Sequence, residues 1–261
     1  MERVADSLFA PTSMVWRIHA DGAMLVGGLR ALLMQPLHPE AMAGFAAHSK
    51  YREEAWGRFY RTAEYIGIMS YAPREEAEAA AARVRMIHNK LGLDRPDLLL
   101  WVHCSLVESL LSAARDARMP MTREEEDQYV SEMVLFAEYA GCHTEDVPKS
   151  VAELDAYFGA ILPKLQVLPE AREGAKFIAF PPLPRWVDWA TPARISWAAV
   201  AALSAASLPD WAHRLYGWPR IPGMRFFVNL MQWGLRGSMM VMPRALREGP
   251  HLKDARKRLA A

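Results

Sequence analysis

Apolar residues recur every three or four positions along almost the whole chain, which is the period of an α-helix. The stretch from Pro73 to Gly92 shows this most clearly, with a single helical stripe formed by Ala77, Ala81, Val84, His88 and Leu91. No strand-like alternation and no Asn-Gly hairpin favours a β-sheet. The sequence therefore predicts an all-α fold.

Proline, glycine and capping residues divide this periodic sequence into helices. Pro39 and Pro73 suit the first turn of a helix, and Gly92 suits the position just after the last turn. Two further helix starts have the spacing of a capping box: Thr122 with Glu125, and Ser150 with Glu153.

The length and composition predict one compact domain over residues 1–261. The chain has 261 residues, 52% of them apolar, which is enough to bury a sizeable core. Within the domain we expect a core over about 16–164, further helices over about 165–248 and an exposed basic tail over 249–261.

Charge and cysteine content argue against a nucleic-acid-binding protein and against a disulfide-rich secreted protein. The net charge of +1, from 31 basic and 30 acidic residues, gives no surplus for binding nucleic acid. Cys104 and Cys142 are too few for a disulfide framework, and the first residues lack a signal peptide, so a cytoplasmic location is expected. No uncharged run appears long enough to span a bilayer. The apolar segments Ile195–Leu208 and Met224–Met242 are expected to pack as core helices, or else to lie on a membrane surface.

Two consecutive predicted helices carry the candidate functional residues. Arg58, Arg61 and Thr62 are spaced i, i+3, i+4 and therefore project from one side of the first helix. His88 lies on the apolar stripe of the second, and His103 lies on an equally apolar stripe of the next helix. Each has an ordinary alternative: the arginines can be solvated or paired with acidic neighbours, and either histidine can be a core residue.

An imidazole in an apolar, all-helical interior is the setting in which proteins hold haem. One ring nitrogen can bind iron while the other N–H is held by a carbonyl or carboxylate. Guanidinium and hydroxyl groups such as those of Arg58, Arg61 and Thr62 can then donate to dioxygen or neutralise haem propionates. Sequence patterns typical of zinc sites, di-iron sites, P-loops and serine hydrolases are absent. From the pattern alone, His88 and His103 remain equal candidates.

The sequence also resembles the family of haem b oxygenases that contains latex-clearing protein (rubber oxygenase) and MpaB of mycophenolic acid biosynthesis. The likeness runs from about Trp16 to about Arg244 and is carried by four segments, LLMQPLHPEAMAGFAAHS, GRFYRTAEYI, REEAEAAAARVRMIHNKLG and LLLWVHCSLVES. It implies an all-α domain enclosing a non-covalent haem b. The family's Arg-x-x-His pattern falls on Arg85 and His88, which implies that His88 rather than His103 is the axial ligand of the iron.

The distal pattern of the same family falls on Arg58, Arg61 and Thr62. Rubber oxygenases have a lysine, which can close the sixth position of the iron, where this chain has Arg61. A guanidinium stays protonated and cannot bind iron, so we expect a five-coordinate or water-bound ferric resting state. No glutamate matches the family's presumed base, and the absence of a secretion signal makes rubber an unexpected substrate.

The resemblance thus implies a haem-dependent oxidoreductase that uses dioxygen to oxidise, or to cleave, a carbon–carbon double bond. The expected substrate is a small hydrophobic or prenyl-like molecule. Arg58 and Thr62 would position dioxygen, Arg61 would assist or hold a propionate, and Arg85 would support the proximal side. The alternatives are a peroxidase-like or dehydrogenating enzyme on the same scaffold, and a protein that binds haem without turnover.

Overall fold

The computed structural model describes residues 6–48, 55–179, 193–219 and 221–260, which form fourteen α-helices and no strand within those ranges. In chain order, the helices are α1 (Met14–His19), α2 (Met24–Met34), α3 (Pro39–His48), α4 (Ala55–Tyr71), α5 (Arg74–Lys90), α6 (Pro96–Asp116), α7 (Arg123–Ala140), α8 (Val151–Ile161), α9 (Pro169–Ala179), α10 (Ala193–Ala206), α11 (Asp210–Tyr216), α12 (Met224–Val241), α13 (Arg244–Arg247) and α14 (Pro250–Ala260). Short 3₁₀ turns follow α2 at Gln35–Leu37 and α8 at Leu162–Lys164. The predicted all-α fold is confirmed.

Helix bounds follow the local signals in the sequence closely. Thr122 and Glu125 form the predicted capping box at the start of α7. At the start of α8, Ser150 caps the helix, but the Glu153 carboxylate accepts from the Lys149 N–H instead of the Ser150 N–H, so the second predicted box is only half formed. Gly92 ends α5 with a φ of +65°, a conformation that favours glycine.

The centre of the fold is the contact between α2 and α6. Gly27 of α2 allows this close approach, because a Cβ there would lie 3.0 Å from both the Ser109 carbonyl oxygen and a Leu110 methyl carbon of α6. Next to this contact the buried Arg30 guanidinium binds the carboxylate of Glu108, with 2.8 Å between Arg30 Nη2 and Glu108 Oε1. The core therefore includes an ion pair whose cation, Arg30, is buried.

Hydrogen bonds tie the C-terminal half of the chain to this centre. The hydroxyl of Tyr216, at the end of α11, donates to the Leu33 carbonyl at 2.8 Å. The Gln166 N–H, just before α9, donates to the Leu37 carbonyl at 2.8 Å. These bonds join the second half of the chain to α2 and to the 3₁₀ turn that follows it, and they satisfy backbone oxygens of the buried Leu33 and Leu37.

The expected exposed basic tail is confirmed for most residues of α14, and its basic residues from 256 to 258 are exposed. Leu252 and Ala255 are the exceptions, because they are buried against Trp16 and Tyr71. These two apolar positions lie three residues apart on one face of the helix, a pattern that the basic composition of the tail conceals. The proposed division of the domain near residues 164 and 248 remains a prediction.

Among the described residues, one helix is long and apolar enough to cross a membrane by length and composition. This is α6, whose most apolar window is 72% buried inside the fold. Asp97 and Glu108 interrupt its apolar run, so it is not an uncharged run in the sequence. Core helices of soluble proteins meet the same criterion, so it is weak evidence for a span.

Candidate active site

Helices α4 and α5 form a hairpin that brings the two predicted site segments together. Only Ala72 and Pro73 separate the helices, and the two helices are in contact. Counted from this turn at about 1.5 Å per residue, Arg58 and His88 each lie about 20 Å along their helices. They therefore stand at the same height near the open end of the hairpin. The backbone of Arg58 belongs to α4, but its side chain lies outside the described residues.

The apolar stripe of α5 faces the interior as predicted. Ala77 and Ala81 are fully buried, while Val84 and His88 are half-buried toward the open end of the hairpin. The Nδ1 atom of His88 is out of reach of solvent. A half-buried imidazole on an inward face suits an axial ligand, although the ligand role itself remains a prediction.

Thr62 and Arg61 differ in how far they face inward. Thr62 is half-buried, whereas the Arg61 side chain is exposed. Because Thr62 also lies one turn from the half-buried Tyr65, it belongs to the inner face of α4. Thr62 is therefore better placed for an interior role, and Arg61 for one at the edge of the site.

Arg85 has a partner within the fold. Its Nη1 donates to the carbonyl oxygen of Tyr139 at 2.7 Å, and Tyr139 lies in the last turn of α7. A cation there satisfies a free C-terminal carbonyl and complements the helix dipole. Arg85 thus fixes α5 to α7 one turn before His88, which would hold the imidazole in place. Its predicted support of the proximal side is compatible with this contact.

Tyr65 is a further candidate site residue that the sequence analysis does not name. Its hydroxyl is buried, and among the described residues it has no hydrogen-bond partner. Burial raises the pKa of Tyr65 to about 12, against the opposing effect of the Arg85 charge. Its ring packs edge-on against Phe136 with the centroids 6.3 Å apart. In the sequence, Tyr65 lies three residues after Thr62 and so on the same face of α4. An aromatic side chain on an apolar face more often packs in the core than takes part in a site, so this spacing alone does not identify Tyr65.

His103, the alternative ligand, is buried on α6. Burial lowers the pKa of His103 to about 4, so its imidazole is neutral near pH 7, as iron binding requires. Because both histidines suit iron in kind, the preference for His88 rests on the Arg-x-x-His pattern.

The buried state of His103 predicts that acid destabilises the fold. The folded-state pKa of about 4 lies below the ordinary value of 6.5, so the unfolded chain takes up a proton first as the pH falls. The free energy of unfolding should drop by about 1 to 2 kcal/mol from this group between about pH 7 and about pH 5. Urea unfolding of the wild type and of His103→Met at both pH values measures how much of the pH-dependent loss of stability comes from His103. An equal pH dependence in the two proteins would contradict the prediction.

A half-buried histidine that the sequence analysis does not name, His19, joins α1, α4 and α7. His19 Nδ1 lies 2.7 Å from Ser70 Oγ, and His19 Nε2 lies 3.1 Å from the Tyr129 hydroxyl. Because Ser70 donates its own proton to the Ile66 carbonyl, it accepts from Nδ1–H, and Nε2 must accept from Tyr129. Burial lowers the pKa of His19 to about 3, so its imidazole is neutral near pH 7.

The donor set of the α4–α5 hairpin is compatible with haem b. The described residues contain no group of three His, Cys, Asp or Glu side chains able to hold a metal. The interior of the hairpin instead offers a single half-buried imidazole, a half-buried threonine and the unpaired buried hydroxyl of Tyr65. One nitrogen ligand beside a few weak donors is the set that a porphyrin requires, because the porphyrin supplies the other iron ligands.

Most of the chain matches a known protein family. Residues 16–241 match the family model described as ER-bound oxygenase mpaB/B'/Rubber oxygenase, catalytic domain. The chain belongs to this oxygenase family. The match covers the chain from α1 to α12, and every predicted site residue lies within it. No curated protein and no solved structure matched the chain.

Membership of the family indicates an oxidoreductase that acts with dioxygen on a small-molecule substrate. This part of the functional prediction is confirmed at the level of the family. The cofactor, the substrate and the roles of individual residues are finer questions.

Proposed function

We propose that the chain is a haem b-dependent oxygenase that oxidises a carbon–carbon double bond of a small hydrophobic or prenyl-like molecule. The observation that carries the proposal is the α4–α5 hairpin of an oxygenase-family domain, in which the predicted ligand helix and the predicted distal helix meet. Bound haem would supply the iron at which dioxygen is activated. The cytoplasmic location expected from the sequence remains part of the proposal.

In this proposal His88 holds the cofactor. Its helix is anchored by the bond from Arg85 to the end of α7 and by the fully buried Ala77 and Ala81. Such anchoring fixes the orientation of the imidazole before the cofactor binds, which lowers the entropy that binding costs.

Helix α4 would provide the polar groups of the reaction. The Thr62 hydroxyl can donate a hydrogen bond or pass on a proton inside the fold, and the Arg58 guanidinium can orient an anionic or polar oxygen. Arg61 is exposed, so its charge suits a propionate at the edge of the site. The hydroxyl of Tyr65, held protonated by burial, is a further donor on the same face.

The first experiment is a visible absorption spectrum of the purified protein, ferric and then reduced, with and without carbon monoxide. A Soret band that shifts with carbon monoxide is expected, because Arg61 cannot close the sixth position of the iron. Dioxygen uptake coupled to product formation would separate an oxygenase from a peroxidase-like enzyme or a non-catalytic haem protein. A protein that stays colourless after reconstitution with hemin would overturn the proposal.

Replacing Thr62 by valine should separate cofactor binding from turnover. The two side chains have nearly the same shape, so the Soret band should be retained while the turnover number falls about tenfold to a hundredfold. The measurement is steady-state dioxygen uptake with the accepted substrate. Ala63→Ser, on the exposed side of α4, is the matched control and should keep full activity. Unchanged turnover in Thr62→Val would remove Thr62 from the mechanism.

A further inference from the structure

Helix α12 has its polar side facing the protein and its apolar side facing outward. Its polar stripe consists of Arg225, Asn229, Gln232 and Arg236, at spacings of four, three and four, and therefore runs along one face. An ordinary surface helix has the reverse arrangement, with its polar face in solvent.

Two buried or largely buried aspartates explain why the polar stripe turns inward. Arg225 Nη2 lies 2.9 Å from Asp116 Oδ1, and the side-chain amide of Gln232 donates to Asp116 Oδ2 at 3.4 Å. Arg236 Nε donates to Asp21 Oδ2 at 2.7 Å. Because Asp116 is 2% exposed, loss of these donors would leave its carboxylate buried and unpaired. The orientation of α12 is thus fixed by hydrogen bonds and ion pairs.

The opposite face of α12 is apolar and carries no charge. We call it the outer face of α12; its large exposed residues are Phe226, Phe227, Leu230, Met231, Trp233, Met240 and Val241. The small residues on the same face are Gly234, Gly237 and Ser238. A continuous apolar surface of this kind marks contact with an apolar partner or medium.

The polar content of this face points to lipid instead of another protein. Protein interfaces carry about one hydrogen bond per 100–200 Å². The one hydroxyl of the outer face, that of Ser238, already donates to the Leu235 carbonyl at 2.7 Å. Polar groups satisfied within their own helix are what insertion into hydrocarbon requires.

The charges next to the outer face complement an anionic membrane surface. Arg118 lies 5.5 Å from the ring centre of Trp233, at the edge of the face. Arg247 Nη1 donates to the Met240 carbonyl at 3.0 Å, at the C-terminal end of the face, and the neighbouring Leu246 is 74% exposed. Basic residues beside an apolar helix face are typical of helices that lie in the headgroup region of a bilayer.

We propose that the outer face of α12 inserts into the surface of an anionic phospholipid membrane, with Arg118 and Arg247 beside it binding the lipid headgroups. An 18-residue helix lying flat would present about 27 Å of apolar surface to the acyl chains. The proposal is independent of the cofactor and of the proposed reaction. It gives the enzyme access to apolar molecules dissolved in lipid.

The test is co-sedimentation of the full chain with vesicles of phosphatidylcholine containing phosphatidylserine. Phe226→Asp should weaken binding about tenfold or more, because the burial of one aromatic side chain is lost and a charge enters the acyl region. Met86→Asp is the matched control, since Met86 is 65% exposed on α5 and Phe226 is 69% exposed on α12. Vesicles of phosphatidylcholine alone should bind more weakly. Wild-type protein that stays in the supernatant, or equal binding by the two variants, would overturn the proposal.

A second measurement locates the inserted face and tests the rival partner, a second copy of the chain. Cys104 and Cys142 are buried, so a fluorescent NBD label can be directed to Leu230→Cys. Its emission should rise and shift to the blue when vesicles are added. Light scattering on the eluting protein should show a monomer without lipid. A lipid-free dimer that Phe226→Asp dissociates would assign the face to self-association and reject the membrane proposal.

Discussion

His88→Ala is expected to abolish haem binding while leaving the protein folded. Haem b is held without covalent attachment, so the bond from His88 to iron would be the main specific anchor of the cofactor. The side chain is only half-buried and alanine favours helix, so α5 should persist. The measurement is the Soret absorbance of both proteins after reconstitution with hemin, with circular dichroism to verify the helix content.

The control for this prediction is His103→Ala. His103 is buried on α6, so its removal should cost stability but leave the Soret band in place. If His103→Ala loses the band and His88→Ala keeps it, the assignment of the ligand is reversed. Rescue of the band in His88→Gly by added imidazole would give independent support to His88.

Glu108→Ala is expected to lower the free energy of unfolding by about 3–5 kcal/mol. Glu108 accepts from both terminal nitrogens of Arg30, and the Arg30 side chain is only 2% exposed. Arg30 also donates to Ser109 Oγ at 2.8 Å and to the Ser207 carbonyl at 3.2 Å, so it cannot turn outward to water easily. Removal of the carboxylate leaves a buried cation uncompensated. Chemical denaturation at neutral pH measures the effect.

An exposed ion pair provides the matched control. Arg123 is 58% exposed in its pair with Glu126, so Arg123→Ala should cost less than about 1 kcal/mol. The double variant Arg30→Met, Glu108→Leu should recover much of the stability, because neither charge is then buried. A single Glu108→Ala variant as stable as Arg123→Ala would show that the Arg30 charge finds another partner.

The prediction was most accurate where short-range signals decide the structure. The apolar stripe of α5, its end at Gly92 and the capping box at Thr122 depend on residues within one or two helical turns. The half-formed box at Ser150 and the burial of Leu252 and Ala255 depend on neighbours and packing that spacing does not reveal. For the candidate site, Arg58, Thr62 and His88 could be named from sequence, but the inward position of Tyr65 and the hydrogen-bonded network of His19 could not.

The sequence by itself determined the helical class, most helix bounds and the family of oxygenases to which the chain belongs. These follow from local periodicity, backbone stereochemistry and motifs of a few residues. Only the tertiary structure decided which side of α12 faces outward. Both the polar stripe and the apolar face of α12 can be recognised in the sequence. Surface helices usually bury their apolar face, so the sequence alone would predict the opposite orientation. The carboxylates of Asp21 and Asp116, more than a hundred residues away in the chain, bind the polar stripe and leave the apolar face uncovered, because an unpaired buried charge costs more than exposed apolar surface.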